Sequence, residues 1–207
     1  MAKNVFAAVL FFFACFPIGA QAEEGQKVDP AHIQALIRDL GSKNPQLRRE
    51  AAVALTRIGP PAKEAVPALI RNLDDENALV RQNSIDALGE IRVNGAGLIP
   101  ALIRRLKEDE EYLNRLKAAE VLGKFGKEAR EAAPALLEAV KDEKAIVRGF
   151  VVEAIGTVVE PKEAVKALVK ALEDPHPSVR RKAKQALEAM DAPEAKKALE
   201  PYAKPAG

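Results

Sequence analysis

The sequence predicts an all-α protein: a right-handed α-solenoid of about five helical hairpins, closed at its C-terminal end by a capping helix. Three observations carry this expectation. First, a unit typified by Ala68–Gly89 occurs five times behind an apolar leader. Second, its markers keep step. An alanine opens an apolar triplet (Ala35, Ala68, Ala101, Ala135, Ala167), an arginine follows (Arg48, Arg81, Arg115, Arg148, Arg180), and an aliphatic residue stands seven places beyond (Leu55, Leu88, Leu122, Ile155, Leu187). Successive arginines are 33, 34, 33 and 32 positions apart, a near-constant period that marks a stacked array and not one globular core. Third, each half-unit has helical spacing: Val66, Leu69, Ile70 and Leu73 share one helix face, and Val80, Ser84, Ala87, Leu88 and Ile91 share another. The polar break Asp74–Asn77 separates the two, so each unit is a hairpin that must bury its apolar face against its neighbours.

In chain order, residues 1–22 carry Lys3, an apolar run from Val5 to Phe16, the breakers Pro17 and Gly19, and Ala20-Gln21-Ala22. That layout is a secretory signal peptide with cleavage after Ala22, and the run is too short for a comfortable membrane span. Lipidation at Cys15 is the alternative, on a poor cleavage context. The expectation is an exported chain, periplasmic or secreted. Removal of the leader takes the only cysteine, five of the seven phenylalanines and one lysine, leaving 31 basic against 30 acidic residues, net +1. The core is therefore aliphatic, no disulfide is possible, and the charge balance gives no general pull toward nucleic acid or anionic lipid.

Residues 23–28 read as a flexible lead-in, 29–192 as the array, and 193–207 as a capping helix and tail. Asp29-Pro30 is an N-cap followed by proline at the first helical position. The first helix runs to about Leu40, its partner from Pro45 to Ile58, and Gly59-Pro60-Pro61 ends the unit. Units two to five follow at 61–93, 97–126, 127–159 and 161–190. Pro67, Pro100 and Pro134 recur within the first helices, predicting a bend or a late helix start. Unit three carries one extra residue near Glu108–Tyr112, predicting a bulged inter-helix loop. Pro193–Ala203 resembles half of a sixth unit.

The entries AlaValProAlaLeuIle (Ala65–Ile70), LeuIleProAlaLeuIle (Leu98–Ile103) and AlaAlaProAlaLeuLeu (Ala132–Leu137), with AspProHisProSerValArg (Asp174–Arg180), resemble HEAT repeats of the short type found in phycobilisome lyases. That resemblance implies the solenoid fold, second helices lining the concave side, and a recognition role. It also raises a cofactor-handling lyase or chaperone as the competing function, since phycobilisome lyases attach a bilin to a partner's cysteine.

Six residues before each marker arginine stand Ser42, Asp75, Asp109, Asp142 and Asp174. Stacking aligns these positions into a ladder, read either as structural arginine–carboxylate pairs fixing the inter-unit angle or as an anion-binding surface. Catalytic candidates are few. The histidines are His32 and His176, and the one nearby serine–histidine pair, His176 and Ser178, lies in a Pro-rich turn that the repeat explains. No His-Glu dipeptide of the iron-binding repeat hydroxylases occurs, and Asn94-Gly95-Ala96-Gly97 lacks the lysine of a phosphate loop. No cofactor, metal or catalytic residue is expected.

The expected function is a non-catalytic, monomeric scaffold for an unidentified protein partner, with no nucleic acid and no membrane span after cleavage. Positions one, two, five and nine after each arginine point outward from the second helices and are mostly charged or amide; Val53, Leu116 and Phe150 are the exceptions. Leu116 and Phe150, on adjacent units, form a candidate partner patch, unless Phe150 turns inward over Gly149. A second candidate is the basic cluster Arg180, Arg181, Lys182 and Lys184 with Lys196 and Lys197.

Overall fold

The computed structural model describes residues 29–202; the expected leader with Cys15, the lead-in and the end of the tail lie outside the described residues. Five helical hairpins follow one another: α1 (Pro30–Asp39) with α2 (Pro45–Ile58), α3 (Val66–Asn72) with α4 (Ala78–Ile91), α5 (Leu98–Glu108) with α6 (Tyr112–Phe125), α7 (Ala133–Ala139) with α8 (Ala145–Val158), and α9 (Pro161–Ala171) with α10 (Pro177–Ala189). A short α11 (Pro193–Leu199) closes the array. Among the described residues there is no strand, and no helix is long and apolar enough to cross a membrane.

Local chemistry sets the helix starts. The Asp29 carboxylate accepts from the Ala31 N–H, Asn44 caps α2 through the Gln46 N–H, and Asn77 caps α4 through the Leu79 and Val80 N–H groups. Pro67 and Pro134 stand at the second position of α3 and α7, each preceded by a tight 3₁₀ stretch (Pro60–Ala65 and Gly126–Ala132). The prolines therefore produce a late helix start, where their missing N–H costs nothing.

The bulged loop expected in unit three does not form. Asp109 precedes α6 by three residues, as Asp75 precedes α4 and Asp142 precedes α8. The extra residue is absorbed in α5, which stays α-helical to Glu108 and closes with an Asp109 N–H to Arg105 C=O bond. α3 instead tightens at its end, with Leu73, Asp74 and Asp75 each bonding three residues back. Lengthening a helix by one residue costs less than distorting a loop whose backbone groups are all engaged.

Second helices pack on one another in sequence, α2 on α4, α4 on α6, α6 on α8 and α8 on α10. One continuous aliphatic core threads the units, with Leu55, Leu88, Leu122 and Ile155 fully buried at equivalent positions. Burial of each such side chain stabilises by roughly 1.5–3 kcal/mol. The helices approach closely: a Cβ on Gly123 would lie 3.2 Å from the Ala154 Cα.

Both ends depart from the internal pattern. Four residues after the marker arginine, Ala52, Ile85, Ala119 and Val152 are buried, whereas the terminal α10 has Lys184, ion-paired to Glu188. α11 covers part of this end with Ala192 and Ala195 buried. At this register the last hairpin thus carries a charged residue where internal hairpins present packing residues. At the first end, Leu47 is 41% exposed at the register where Val80, Val147 and Val179 are buried; among the described residues no hairpin precedes it.

Candidate functional site

The four internal arginines form a ladder of identical rungs. Arg81 donates from Nε and Nη2 to Asp109 of the next hairpin, at 2.8 Å each, while its Nη1 donates to the Asp75 and Glu76 carbonyls of its own loop. Arg48 grips Asp75, Arg115 grips Asp142, and Arg148 grips Asp174 in the same way. Each carboxylate also accepts from the N–H two residues on: Asn77, Glu111, Lys144 and His176. A single side chain thereby fixes the angle between two hairpins and the start of a helix. Burial works to raise the Asp109 pKa, yet hydrogen bonds from Arg81, the Glu111 N–H and Asn114 hold it below the ordinary carboxylate value. Asp174 is likewise lowered, by Arg148 first, against burial and with help from the His176 N–H. At these four rungs the arginines and carboxylates of the ladder are paired with one another.

Arg180 keeps the pose, its Nη1 donating to the Asp174 and Pro175 carbonyls. Among the described residues no carboxylate meets it.

On the face of the second helices, cations bind carboxylates of the preceding hairpin. Lys117 meets Asp86 at 3.0 Å, Lys124 meets Glu90 at 2.9 Å, and Lys182 meets Glu153 at 2.7 Å. The Lys124 hydrogen bond lowers the Glu90 pKa. Three shallow recesses lie along this face. One, of about 390 Å³, is lined by Arg49, Glu50, Val53, Ala54, Arg57 and Asn83. Two neighbours, about 240 and 310 Å³, share Glu153 and Thr157. Phe150 borders the first of these, and Ala186 and Met190 the second.

The expected patch is corrected by this arrangement. Leu116 is only 5% exposed and belongs to the core, so it offers no contact surface. Phe150 is half-buried, packed against the core, with the Lys182 ammonium 4.0 Å from its ring centroid. Val53 remains half-buried in its recess. The basic cluster is half neutralised: Lys182 is paired with Glu153, Lys184 with Glu188, and Lys196 with Asp191, while Arg180, Arg181 and Lys197 are exposed and meet no carboxylate among the described residues.

The His176 Nδ1 lies 2.7 Å from the Ser178 Oγ and accepts from the Ser178 N–H. This is an N-cap of α10; among the described residues no carboxylate bonds the ring. Nor do three His, Cys, Asp or Glu side chains converge on a cation site there.

Sequence reasoning missed three exposed apolar residues at one register. Leu79, Leu113 and Ile146 stand two places before their marker arginines and are 49%, 39% and 51% exposed. In unit three the apolar Leu113 faces out while the adjacent Asn114 is buried, its amide donating to the Asp109 carboxylate and the Ala78 carbonyl.

Comparison with known proteins follows from this geometry. The profile of the family described as HEAT repeats matches residues 30–123, 66–148, 99–163 and 133–206. The chain belongs to the HEAT-repeat family. No curated protein sequence is similar enough to count as a relative. Among solved structures, the complex of CpcE and CpcF of phycocyanin lyase from Nostoc sp. aligns with a TM-score of 0.67 at 26% identity, over 87% of this chain and 72% of that one. A designed armadillo repeat protein in complex with the peptide (KR)4 aligns at 0.65 and 21% identity, over 82% and 87%. An engineered protein from a structural genomics programme aligns at 0.66 and 23%, over 81% and 83%. The latter two likenesses establish the fold alone: an all-α HEAT-repeat solenoid, a scaffold architecture suited to protein binding.

Proposed function

We propose that this HEAT-repeat chain is an exported, monomeric and non-catalytic scaffold that holds a protein partner against the face of its second helices, without a cofactor. The observation carrying this reading is the series of open recesses along that face: the two beside Phe150 and Met190 are floored by small and apolar groups and rimmed by the paired charges of Lys124, Glu120, Glu153 and Lys182, and the one around Val53 is flanked by Arg49, Glu50 and Arg57. Such a surface loses little on desolvation of its paired charges and offers apolar area around Val53 and Phe150. The near-neutral mature charge argues against nucleic acid. The test is affinity capture from envelope extract with mass identification, repeated with Phe150→Glu and Val53→Glu. Capture lost with helicity intact supports the reading; capture unchanged overturns it.

A second reading rests on the likeness to the phycocyanin lyase complex: a cofactor-handling lyase or chaperone. Stoichiometric tetrapyrrole absorption by the purified chain favours it over the scaffold.

A further inference from the structure

Leu79, Leu113 and Ile146 occupy the second position of α4, α6 and α8, each followed two places later by its rung arginine. Three places before them stand Glu76, Glu110 and Glu143, also exposed, with Glu76 and Glu143 side chains 87% and 72% accessible. The rungs set these residues in one pose, because the guanidiniums of Arg81, Arg115 and Arg148 bond the carbonyls of the three glutamates. The result is an apolar row beside a carboxylate row, repeated at the period of the stack. The pattern stops at both ends: unit one has Gln46 and Lys43 at these registers, and unit five has Ser178 and Pro175, neither unit having an aliphatic residue or a carboxylate there. The pattern is therefore a finite row of three apolar groups at one register of consecutive units, more ordered than the single exposed apolar groups that any surface carries.

Neighbouring packed helices stand about 8–10 Å apart. A polyproline II segment repeats a face every three residues, about 9.3 Å at 3.1 Å rise, whereas a strand repeats a face every ~6.8 Å. A spacing in that general range lies nearer the former than the latter. The charge row selects the rest. Glu76 and Glu143 have only long contacts to Arg48 and Arg115, 3.8 and 3.6 Å, and Lys144 lies 3.6 Å from Glu143. With each rung arginine already matched by its aspartate, the loops keep one net negative charge in unit two (Glu76), two in unit three (Glu110 and Glu111) and none in unit four, where Lys144 offsets Glu143. Pairing with a second copy would set two carboxylate rows in one interface, which disfavours self-association.

Building on the scaffold reading, we propose that this edge docks a polyproline II segment of a protein partner, with an apolar residue at every third position and Lys or Arg between. The apolar residues seat on Leu79, Leu113 and Ile146, and the cations face Glu76, Glu110 and Glu143.

The test is fluorescence anisotropy of labelled Ac-(Leu-Pro-Lys)3-NH2 against the product of the full chain, with (Leu-Pro-Glu)3 and (Ser-Pro-Lys)3 as comparison peptides. Saturable binding is expected for the first alone, weakened at least tenfold, about 1.4 kcal/mol, by Leu79→Gln with Leu113→Gln and Ile146→Gln, and weakened by salt. These side chains are exposed, so far-UV circular dichroism should not change. Failure of (Leu-Pro-Lys)3 to bind, equal binding of (Leu-Pro-Glu)3, or unchanged binding by the triple variant overturns the proposal. A dimer that the triple variant dissolves, seen by sedimentation, also overturns it by making a second copy the occupant. If natural-partner capture survives the triple variant but is lost with Phe150→Glu, the scaffold stands and this edge falls.

Discussion

Asp109→Ala isolates what a rung contributes. The Asp109 side chain is fully buried and accepts five hydrogen bonds, two from Arg81, one each from the Glu111 N–H and Asn114, and a longer one at 3.5 Å from Arg105 Nη1. Its removal leaves the Arg81 guanidinium, 11% exposed, without its anion and the start of α6 without its acceptor. Removing one partner of a buried pair costs about 3–5 kcal/mol. Arg81 keeps two carbonyl bonds, so the low end applies, about 3 kcal/mol. For a chain of this size that lowers Tm by roughly 6–12 °C. Thermal melts followed by far-UV circular dichroism read it. The comparator is Arg180→Ala, which removes the counterpart of Arg81 in the last hairpin, an exposed arginine that meets no carboxylate among the described residues; its cost should stay within about 0.5 kcal/mol. Equal losses for the two variants, or no loss for Asp109→Ala, would refute the claim that the rungs tie hairpin to hairpin.

Four further outcomes are expected. Because Asp109 and Asp174 have lowered pKa values in the fold, their contribution is present above the unfolded carboxylate value, about 3.9, and is lost as pH falls through the folded value; acid titration of Asp174→Asn should show a shallower loss than the parent. Ser84 is buried with its hydroxyl unpartnered where the other units place Ala51, Ala118, Val151 and Ala183, so Ser84→Ala should stabilise by about 1 kcal/mol in denaturant unfolding. Gly123→Ala pushes a methyl to 3.2 Å from the Ala154 Cα and should cost about 1–3 kcal/mol, whereas Gly156→Ala meets only the Ala186 Cβ at 3.4 Å and should be neutral or gain up to about 1 kcal/mol in helix propensity; matched melts decide. Leu116→Glu should cost about 3 kcal/mol or more by burying a charge, whereas Phe150→Glu should leave helicity intact while abolishing capture.

The hairpins were legible because helical periodicity, proline placement and caps are local. The Pro45–Ile58 helix follows from its flanking Asn44 and Gly59 alone. The rungs were legible as a register, and the structure adds their direction, each arginine reaching forward to the next loop. What the sequence concealed depends on contacts between units. Leu116 shares its register with Arg49, Gln82 and Arg181, so counting along one helix places it outside; the stacking of α6 between α4 and α8 buries it. Leu79 adjoins Val80 and Leu113 adjoins Asn114, and the cap geometry decides which of each pair turns inward. An aliphatic residue two places before three consecutive arginines was the available signal.

Excision of residues 93–126, one period of the stack, tests the account most directly. It places Arg81 twenty-seven positions from Asp142, the same separation as Arg48 to Asp75, so a new rung can close between former strangers. The shortened chain should remain folded, with unchanged helicity per residue and a cooperative melt that Arg81→Ala weakens. A chain that loses its helices or aggregates after the excision would show a single indivisible core and contradict the repeat-by-repeat account.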